Sequence, residues 1–246
     1  MTRPFLSIVI PAYNEEARLP ATLSRIAGYL RGCSCSSEVI LVSDGSRDGT
    51  VAAARRWRPE GFPLEIIDRK ENRGKGYTVR EGARRARGDY ILFSDADLST
   101  PIEEVEKFLP WFREGFEVVI GSRSLKGSDI LVRQPFHREL MGRIFNRLVR
   151  VLAVPGIADT QCGFKCFTRR AAGEIFPRCR IDGFSFDVEI LYLARRLGLP
   201  VREVPVKWRN APGSSISPLR DSLLMLIDIF RVRAFSLFRV YSAGSS

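Results

Sequence analysis

Two carboxylates separated by one small residue, Asp95 and Asp97 in the run FSDADL, directly follow the apolar segment 90–94. Carboxylate oxygens suit Mg²⁺ and Mn²⁺, which keep open coordination positions for phosphate oxygens. The pair therefore predicts a divalent-metal site for a phosphorylated ligand. An ordinary turn at a strand end is the alternative, and the position after a fully apolar strand disfavours it.

Two other polar segments have residue types and spacing that suit the binding of a nucleotide. Lys75, between Gly74 and Gly76, opens a predicted helix, where free backbone N–H groups and a positive dipole end favour anions. An ordinary turn is again the alternative. Asp44 follows the apolar run 38–43 and could accept a hydrogen bond from a ribose or a base edge. The GxGxxG and GxxxxGK[ST] motifs are absent, which argues against a dinucleotide-binding fold and a P-loop hydrolase.

Apolar strands that alternate with helices would position these residues. Strands are predicted at 6–10, 38–43, 64–67, 90–94 and 118–120, and helices at 19–30, 50–57, 76–87 and 102–112. This pattern predicts the α/β class, with a Rossmann-like, mostly parallel central sheet and helices on both faces. Ligands bind such sheets beyond the carboxyl ends of the strands, and polar residues follow all five predicted strands. Later in the chain we predict helices at 137–152 and 186–197 and a strand at 201–208.

The composition narrows the class of partner. Lysine and arginine number 39 against 28 acidic residues, a formal charge of +11. That charge fits a nucleic acid, an anionic membrane surface, a phosphorylated small molecule or simply a solvated basic face. Carboxylates at the strand ends oppose a nucleic-acid-binding module, so we expect no nucleic acid partner. Five cysteines without a CxxC pair, and a single histidine, argue against zinc and favour a reducing, cytoplasmic location.

Several segments together resemble one known family. SIVIPAYNEEARL, VSDGSRDGT, NRGKG, FSDADLSTP, GSR and DTQCGFK are similar, in order and spacing over about residues 5–210, to the family 2 glycosyltransferases, which have the glycosyltransferase-A fold. The variants DADLSTP and DTQCGFK most resemble the dolichyl-phosphate glucosyltransferase branch. The resemblance implies inverting transfer of one sugar, with UDP-glucose favoured over GDP-mannose, to a polyprenyl or dolichyl phosphate. A soluble or cell-surface glycan is the alternative acceptor.

The resemblance also implies roles for residues on the nucleotide side. Pro11, Tyr13 and Glu15 would line the nucleoside pocket, and Asp44 would read the base. Lys75 and Asp95 would hold the ribose and its surroundings. Asp97, with Asp95, would bind Mn²⁺ or Mg²⁺ at the diphosphate. Ser99 stands where mannosyltransferase relatives carry an amide residue that assists the metal, so the resemblance does not supply that ligand here.

On the acceptor side, the resemblance assigns three arginines and two aspartates. Arg123, Arg138 and Arg209 would contact phosphate oxygens of donor or acceptor. Asp159 and Asp187 would lie near the reacting centre. A loop cap for Asp159 and a dipole-favoured charge at a helix start for Asp187 are the alternatives.

The C-terminal residues form a separate predicted unit. We predict a catalytic domain over residues 1–215 and a basic amphipathic helix with a short tail over 216–246. Apolar residues recur at helical spacing from 219 to 238, with arginines interspersed, which is typical of an interfacial helix and poor for a membrane span. The alternatives are packing against the same domain or against a second subunit, so a homo-oligomer stays open. We expect a peripheral enzyme on the inner, cytoplasmic face of an anionic membrane.

Overall fold

The computed structural model describes residues 3–57, 61–132, 149, 152–210 and 218–242. Its strands are β1 (Leu6–Ala12), β2 (Ser37–Ser43), β3 (Leu64–Asp68), β4 (Tyr90–Ser94), β5 (Val118–Ser122), β6 (Asp129–Val132), β7 (Phe164–Thr168), β8 (Val201–Pro205) and β9 (Lys207–Arg209). Its helices are α1 (Leu19–Gly32), α2 (Thr50–Arg56), α3 (Lys75–Arg85), α4 (Leu109–Arg113), α5 (Arg169–Ile175), α6 (Phe186–Arg196) and α7 (Pro218–Leu237). Two 3₁₀ turns cover Ile102–Lys107 and Val240–Ser242.

Seven strands form the central sheet in the order β3-β2-β1-β4-β7-β5-β8. All neighbours are parallel except β7, which runs antiparallel between β4 and β5. Every residue of β1 and β2 is buried, as expected of strands covered on both faces. One apolar core includes α1 and the first 3₁₀ turn, and the other includes α3, α5, α6 and α7. The predicted α/β class, with a mostly parallel sheet and helices on both faces, is confirmed.

Some predicted elements differ in detail. The helix predicted at 102–112 is a 3₁₀ turn followed by α4, which begins next to Pro110, because proline fits the first turn of a new helix. The strand predicted at 201–208 divides after Pro205, and its second part, β9, pairs with β6 in a separate two-stranded sheet. Strands β6 and β7 and helix α5 were not predicted. The helix predicted at 137–152 lies largely outside the described residues.

The C-terminal helix α7 packs one side against the domain and leaves the other side exposed. Met225, Ile229 and Val232 are buried, and Met225 and Ile229 belong to the same core as α6. Its other side exposes large apolar side chains, namely Leu224, Ile227, Phe230, Leu237 and, just beyond the helix, Phe238. Among the described residues, no helix has the length and apolarity needed to cross a membrane.

Candidate active site

The loop after β4 carries the aspartate pair at the carboxyl edge of the sheet. Asp97 Oδ1 accepts a hydrogen bond from Ser99 N at 2.8 Å, and Leu98 between them has a φ of +46°. A left-handed conformation is rare for leucine and is typical of constrained functional loops. A Cβ on Gly163, in the segment before β7, would lie 1.9 Å from Asp95 Oδ2. The Asp95 carboxylate therefore packs directly against the Gly163 backbone.

Lys75, the first residue of α3, contacts this pair. Its Nζ lies 2.7 Å from Asp95 Oδ1. Burial alone would lower the pKa of Lys75, but the carboxylates of Asp95, Asp187 and Asp97 raise it above its usual value. Lys75 is therefore a cation, held where a phosphorylated ligand would meet the aspartates.

The backbone N–H groups of Gly74, Gly76 and Tyr77 around Lys75 are bound within the protein, and anion binding at the start of α3 stays a prediction. Gly76 N and Tyr77 N donate to Asp182 O, at 2.8 and 3.2 Å. A Cβ on Gly76 would lie 2.5 Å from Ile181 O, and one on Gly74 would lie 2.4 Å from Asp182 O. The glycines allow close approach of two backbones, and the Lys75 side chain is the charged group of this loop that contacts Asp95.

Asp44, at the end of β2, is buried and engaged with the same loop. Its Oδ1 accepts from Arg69 Nη1 at 3.0 Å and from Arg73 N at 2.9 Å, and its Oδ2 accepts from Gly74 N at 2.8 Å. The carboxylate thus fixes the start of the segment that carries Lys75. Reading of a base by Asp44 stays a prediction.

Arg123, just after β5, forms a two-point ion pair with Asp159. Arg123 Nε and Nη2 donate to the two carboxylate oxygens at 2.7 and 2.8 Å, and Arg123 N donates to Oδ2 at 2.9 Å. Burial would raise the pKa of Asp159, but the guanidinium of Arg123 holds it below its usual value. Asp159 is therefore an ionised partner that orients Arg123, and its own backbone N–H is bound by Glu203.

Sequence reasoning missed Lys165, a fully buried lysine in β7. Its Nζ donates to Asp187 Oδ1 at 2.5 Å and to Cys162 O at 2.6 Å. Burial raises the pKa of Asp187, while Lys165 and Lys75 oppose that rise. The sequence does contain a signal for Lys165: a single lysine, within the DTQCGFK motif, interrupts the otherwise apolar run of β7.

The structure also places the remaining predicted residues. Pro11 is buried in β1, and Tyr13 is 41% exposed beside it. Glu15 pairs with Arg18; burial raises the pKa of Glu15, Arg18 opposes the rise, and the nearby charges of Asp97 and Asp95 add to it. Arg209 is exposed, and its backbone N–H donates to Ser99 O at 2.8 Å, beside the aspartate loop. Arg138 lies outside the described residues.

The aspartate pair fits a divalent cation whose other ligands come from the substrate. Asp95 Oδ1 is buried and, apart from the Lys75 ammonium, has no hydrogen-bond partner within the described part of the chain. In that same part, no cluster of three or more His, Cys, Asp or Glu side chains could hold a metal by itself. A site of one or two carboxylates completed by phosphate oxygens is the usual arrangement for Mg²⁺.

The fold, with the aspartate pair at the carboxyl edge of the sheet, is that of the glycosyltransferase-A class. The structure of glucosyl-3-phosphoglycerate synthase from Mycobacterium tuberculosis, in complex with Mn²⁺, UDP-glucose and phosphoglyceric acid, is similar with a TM-score of 0.64. The match covers 94% of this chain and 80% of that one at 18% identity, so it bears on the fold.

The sequence comparisons identify the family. The model of Glycosyl transferase family 2 matches residues 7–176. The chain is 38% identical to the dolichyl-phosphate beta-glucosyltransferase of Dictyostelium discoideum, over 98% of this chain and 77% of that protein. It is 39% identical to the enzyme of the same name from Drosophila melanogaster, over 92% and 74%. The chain belongs to Glycosyl transferase family 2, and the resemblance to its dolichyl-phosphate glucosyltransferase branch is confirmed.

Proposed function

We propose that this enzyme transfers one glucose from UDP-glucose to a dolichyl or other polyprenyl phosphate, with inversion at the anomeric carbon. The observation that carries the proposal is the charged edge in which Lys75 contacts Asp95 and Arg123 is fixed by Asp159. Relatives that cover nearly the whole chain are named for glucose transfer to dolichyl phosphate.

We propose that the reaction depends on Mn²⁺ or Mg²⁺ held by Asp97 and Asp95. Asp95, Asp159 and Asp187 are each paired with a cation, from Lys75, Arg123 and Lys165, whereas Asp97 has no ion pair within the described part of the chain. The unpaired Asp97 carboxylate would repel a diphosphate unless a cation were bound to it. A bound divalent ion supplies charge neutralisation for the departing nucleoside diphosphate. The Mn²⁺ in the structurally similar synthase supports this choice.

The protein side chains would position the reactants. Lys75 would place a positive charge beside the diphosphate, and Arg123 would present its remaining guanidinium N–H to a phosphate of donor or acceptor. A lipid phosphate oxygen is already anionic near pH 7, so the displacement at the anomeric carbon needs no strong general base. Consistent with that, Asp159 and Asp187 are each bound to a cation, which suits orientation of charge more than removal of a proton.

We further propose that the enzyme works as a peripheral protein on the cytoplasmic face of an anionic membrane. The exposed side of α7 presents four large apolar side chains, and Phe238 adds a fifth directly after the helix. The neighbouring Arg231, Arg233 and Arg239 are exposed as well. The free thiols of all five cysteines suit a reducing compartment. Through Met225, α7 contacts the two segments that carry Asp159 and Asp187, because Gln161 Nε2 lies 3.8 Å from Met225 Sδ and Ser185 Oγ lies 3.5 Å from Met225 O. This arrangement would bring a lipid phosphate toward Asp159 and Asp187.

The test is a donor panel with and without acceptor. UDP-glucose and GDP-mannose, each radiolabelled, are incubated with Mn²⁺ or Mg²⁺ in the presence or absence of polyprenyl phosphate, and label entering organic solvent is counted. We expect transfer from UDP-glucose only when the lipid phosphate is present.

Asp97→Ala is the matched variant for the metal proposal. Its fold should survive, because the half-buried Asp97 side chain accepts one described hydrogen bond, from Ser99 N. Its transfer should fall by about 10²-fold or more, as for loss of an electrostatic stabiliser. Full activity of Asp97→Ala, or of the wild type in EDTA, would contradict metal dependence. Label that moves to a water-soluble glycan instead would contradict the proposed acceptor.

A further inference from the structure

The last described turn of the chain is tied to a buried carboxylate in α6. Glu189 is fully buried, and its Oε1 accepts from Tyr241 Oη and from Arg180 N, both at 2.8 Å. Its Oε2 accepts from Ile181 N at 2.9 Å. Tyr241 lies in the 3₁₀ turn after α7 and is 2% exposed. Through Glu189, this turn therefore holds the segment 180–181.

That segment continues directly into the residue that holds the donor-side loop. Asp182 O accepts from the backbone N–H groups of Gly76 and Tyr77, and Asp182 Oδ1 accepts from Arg80 Nη2 at 2.6 Å. Arg80 Nη1 also donates to Cys179 O at 2.9 Å. The first turns of α3, which begin with Lys75, are thus held against residues 179–182 at several points, and Lys75 in turn contacts Asp95.

We propose that Tyr241 is a positioning residue for donor binding. Its hydroxyl holds Glu189, Glu189 holds segment 180–182, and that segment fixes the loop from which Lys75 reaches the aspartate pair. The inference rests on the proposed function, because it takes Lys75 and Asp95 as donor-binding groups. It gives the C-terminal turn a part in the nucleotide side of the site, in addition to the membrane role proposed for α7.

The hydroxyl and the ring of Tyr241 can be separated experimentally. The ring packs against Phe235, with centroids 6.0 Å apart, and against Tyr192 at 6.4 Å, so Tyr241→Phe keeps this packing. Tyr241→Phe removes one of the two hydrogen bonds that Glu189 Oε1 accepts. A buried acceptor that loses a donor is destabilised, so the position of Glu189 and of the residues it binds becomes less fixed. Tyr192→Phe is the matched control, since Tyr192 lies in the same helix as Glu189 and its hydroxyl is not a donor to that carboxylate.

The test is donor affinity of the full chain, measured by titration calorimetry of UDP-glucose and of GDP-mannose with Mn²⁺. For the nucleotide sugar that the wild type binds, we expect Tyr241→Phe to weaken binding about fivefold, the equivalent of ~1 kcal/mol. Tyr192→Phe should stay within about twofold of the wild type, a difference of ~0.4 kcal/mol. The KM for polyprenyl phosphate should be unchanged in both variants. Glu189→Gln, which keeps the size of the side chain, should weaken donor binding as well.

Two results would overturn the inference. One is donor binding by Tyr241→Phe that equals that of Tyr192→Phe. The other is a parallel loss of donor affinity, acceptor affinity and Tm, which indicates general destabilisation. A wild-type chain that binds neither nucleotide sugar refutes the proposed function together with this inference. A wild type that binds a donor but transfers nothing to polyprenyl phosphate refutes only the proposed acceptor, and the calorimetric comparison still decides the role of Tyr241.

Discussion

Asp159→Asn tests whether this aspartate orients Arg123 or removes a proton. The wild-type carboxylate accepts three hydrogen bonds from Arg123 and a fourth, at 3.2 Å, from Gln161 N. Asparagine keeps one oxygen but loses the charge, so the half-buried guanidinium is left without its counter-ion. Removal of one partner of a buried pair costs about 3–5 kcal/mol, and we expect the lower end because one oxygen remains.

That loss should be visible in thermal unfolding. For a chain of this size, about 3 kcal/mol corresponds to a fall in Tm of roughly 6–12 °C. Asp89→Asn is the control, because Asp89 pairs with Arg3 at 3.5 Å on the surface, where such pairs contribute roughly 0–1 kcal/mol. Its Tm should stay close to that of the wild type.

The pH dependence has a defined sign. The pKa of Asp159 is lowered in the folded chain, so its stabilisation is complete above the unfolded pKa of about 3.9 and is lost as the pH falls through the folded value. The difference in stability between wild type and Asp159→Asn should therefore be constant from neutral pH down to about pH 5 and should shrink in stronger acid.

The activity assay separates the two roles. A misplaced Arg123 should lower kcat/KM by about 10²-fold without changing the shape of the pH–rate profile between about pH 6 and 9. The reasoning is refuted if Asp159→Asn turns over like the wild type. It is also refuted if the wild-type profile has an acid limb in this range that the variant lacks.

Two more changes test the buried charges and the exposed helix. Lys165→Met leaves Asp187 buried without its nearest cation and should destabilise the fold by about 3–5 kcal/mol in denaturant unfolding. The double variant Lys165→Met with Asp187→Asn should recover part of that loss. A double variant no more stable than the single one would contradict the pairing. Phe230→Ser with Leu237→Ser should lower binding to anionic vesicles by at least about tenfold in a flotation assay, since each buried apolar side chain contributes about 1.5–3 kcal/mol. Leu131→Ser, at a similarly exposed residue of β6, should not, and an equal loss there would count against α7 as the docking surface.

Much of the sheet could be predicted, because a strand buried on both faces is a continuous apolar run. The five predicted strands became β1 to β5 with small changes of boundary. Strand β7 was not predicted because Lys165 interrupts its apolar run. A charged residue inside a buried strand needs a counter-ion, here Asp187, which the local sequence does not reveal. Its antiparallel direction depends on the course of the chain after β5, which no local pattern encodes.

In the site, too, some features could be predicted from the sequence and others could not. Asp95, Asp97 and Lys75 could be placed together, since parallel strands deliver their following loops to one edge. The partners of Asp44, Asp159 and Glu189 could not, because they come from residues far along the chain. The glycines around Lys75 suggested an anion site, and in the structure they permit contact with a segment more than 100 residues away. Glycines in a sequence indicate that another part of the backbone comes close, but they do not identify which segment it is.

Gly163 offers a way to silence the enzyme without deleting any of its ligand-binding groups. Alanine there would place a methyl carbon where the Asp95 carboxylate lies, so the aspartate loop would have to move although every acid, lysine and arginine is still present. Such a protein would separate the placement of the charges from their presence, a distinction that removal of Asp95 or Asp97 cannot make. Because the proposed metal and donor site lies on that loop, such a protein should bind nucleotide sugar weakly although all of its charged side chains remain.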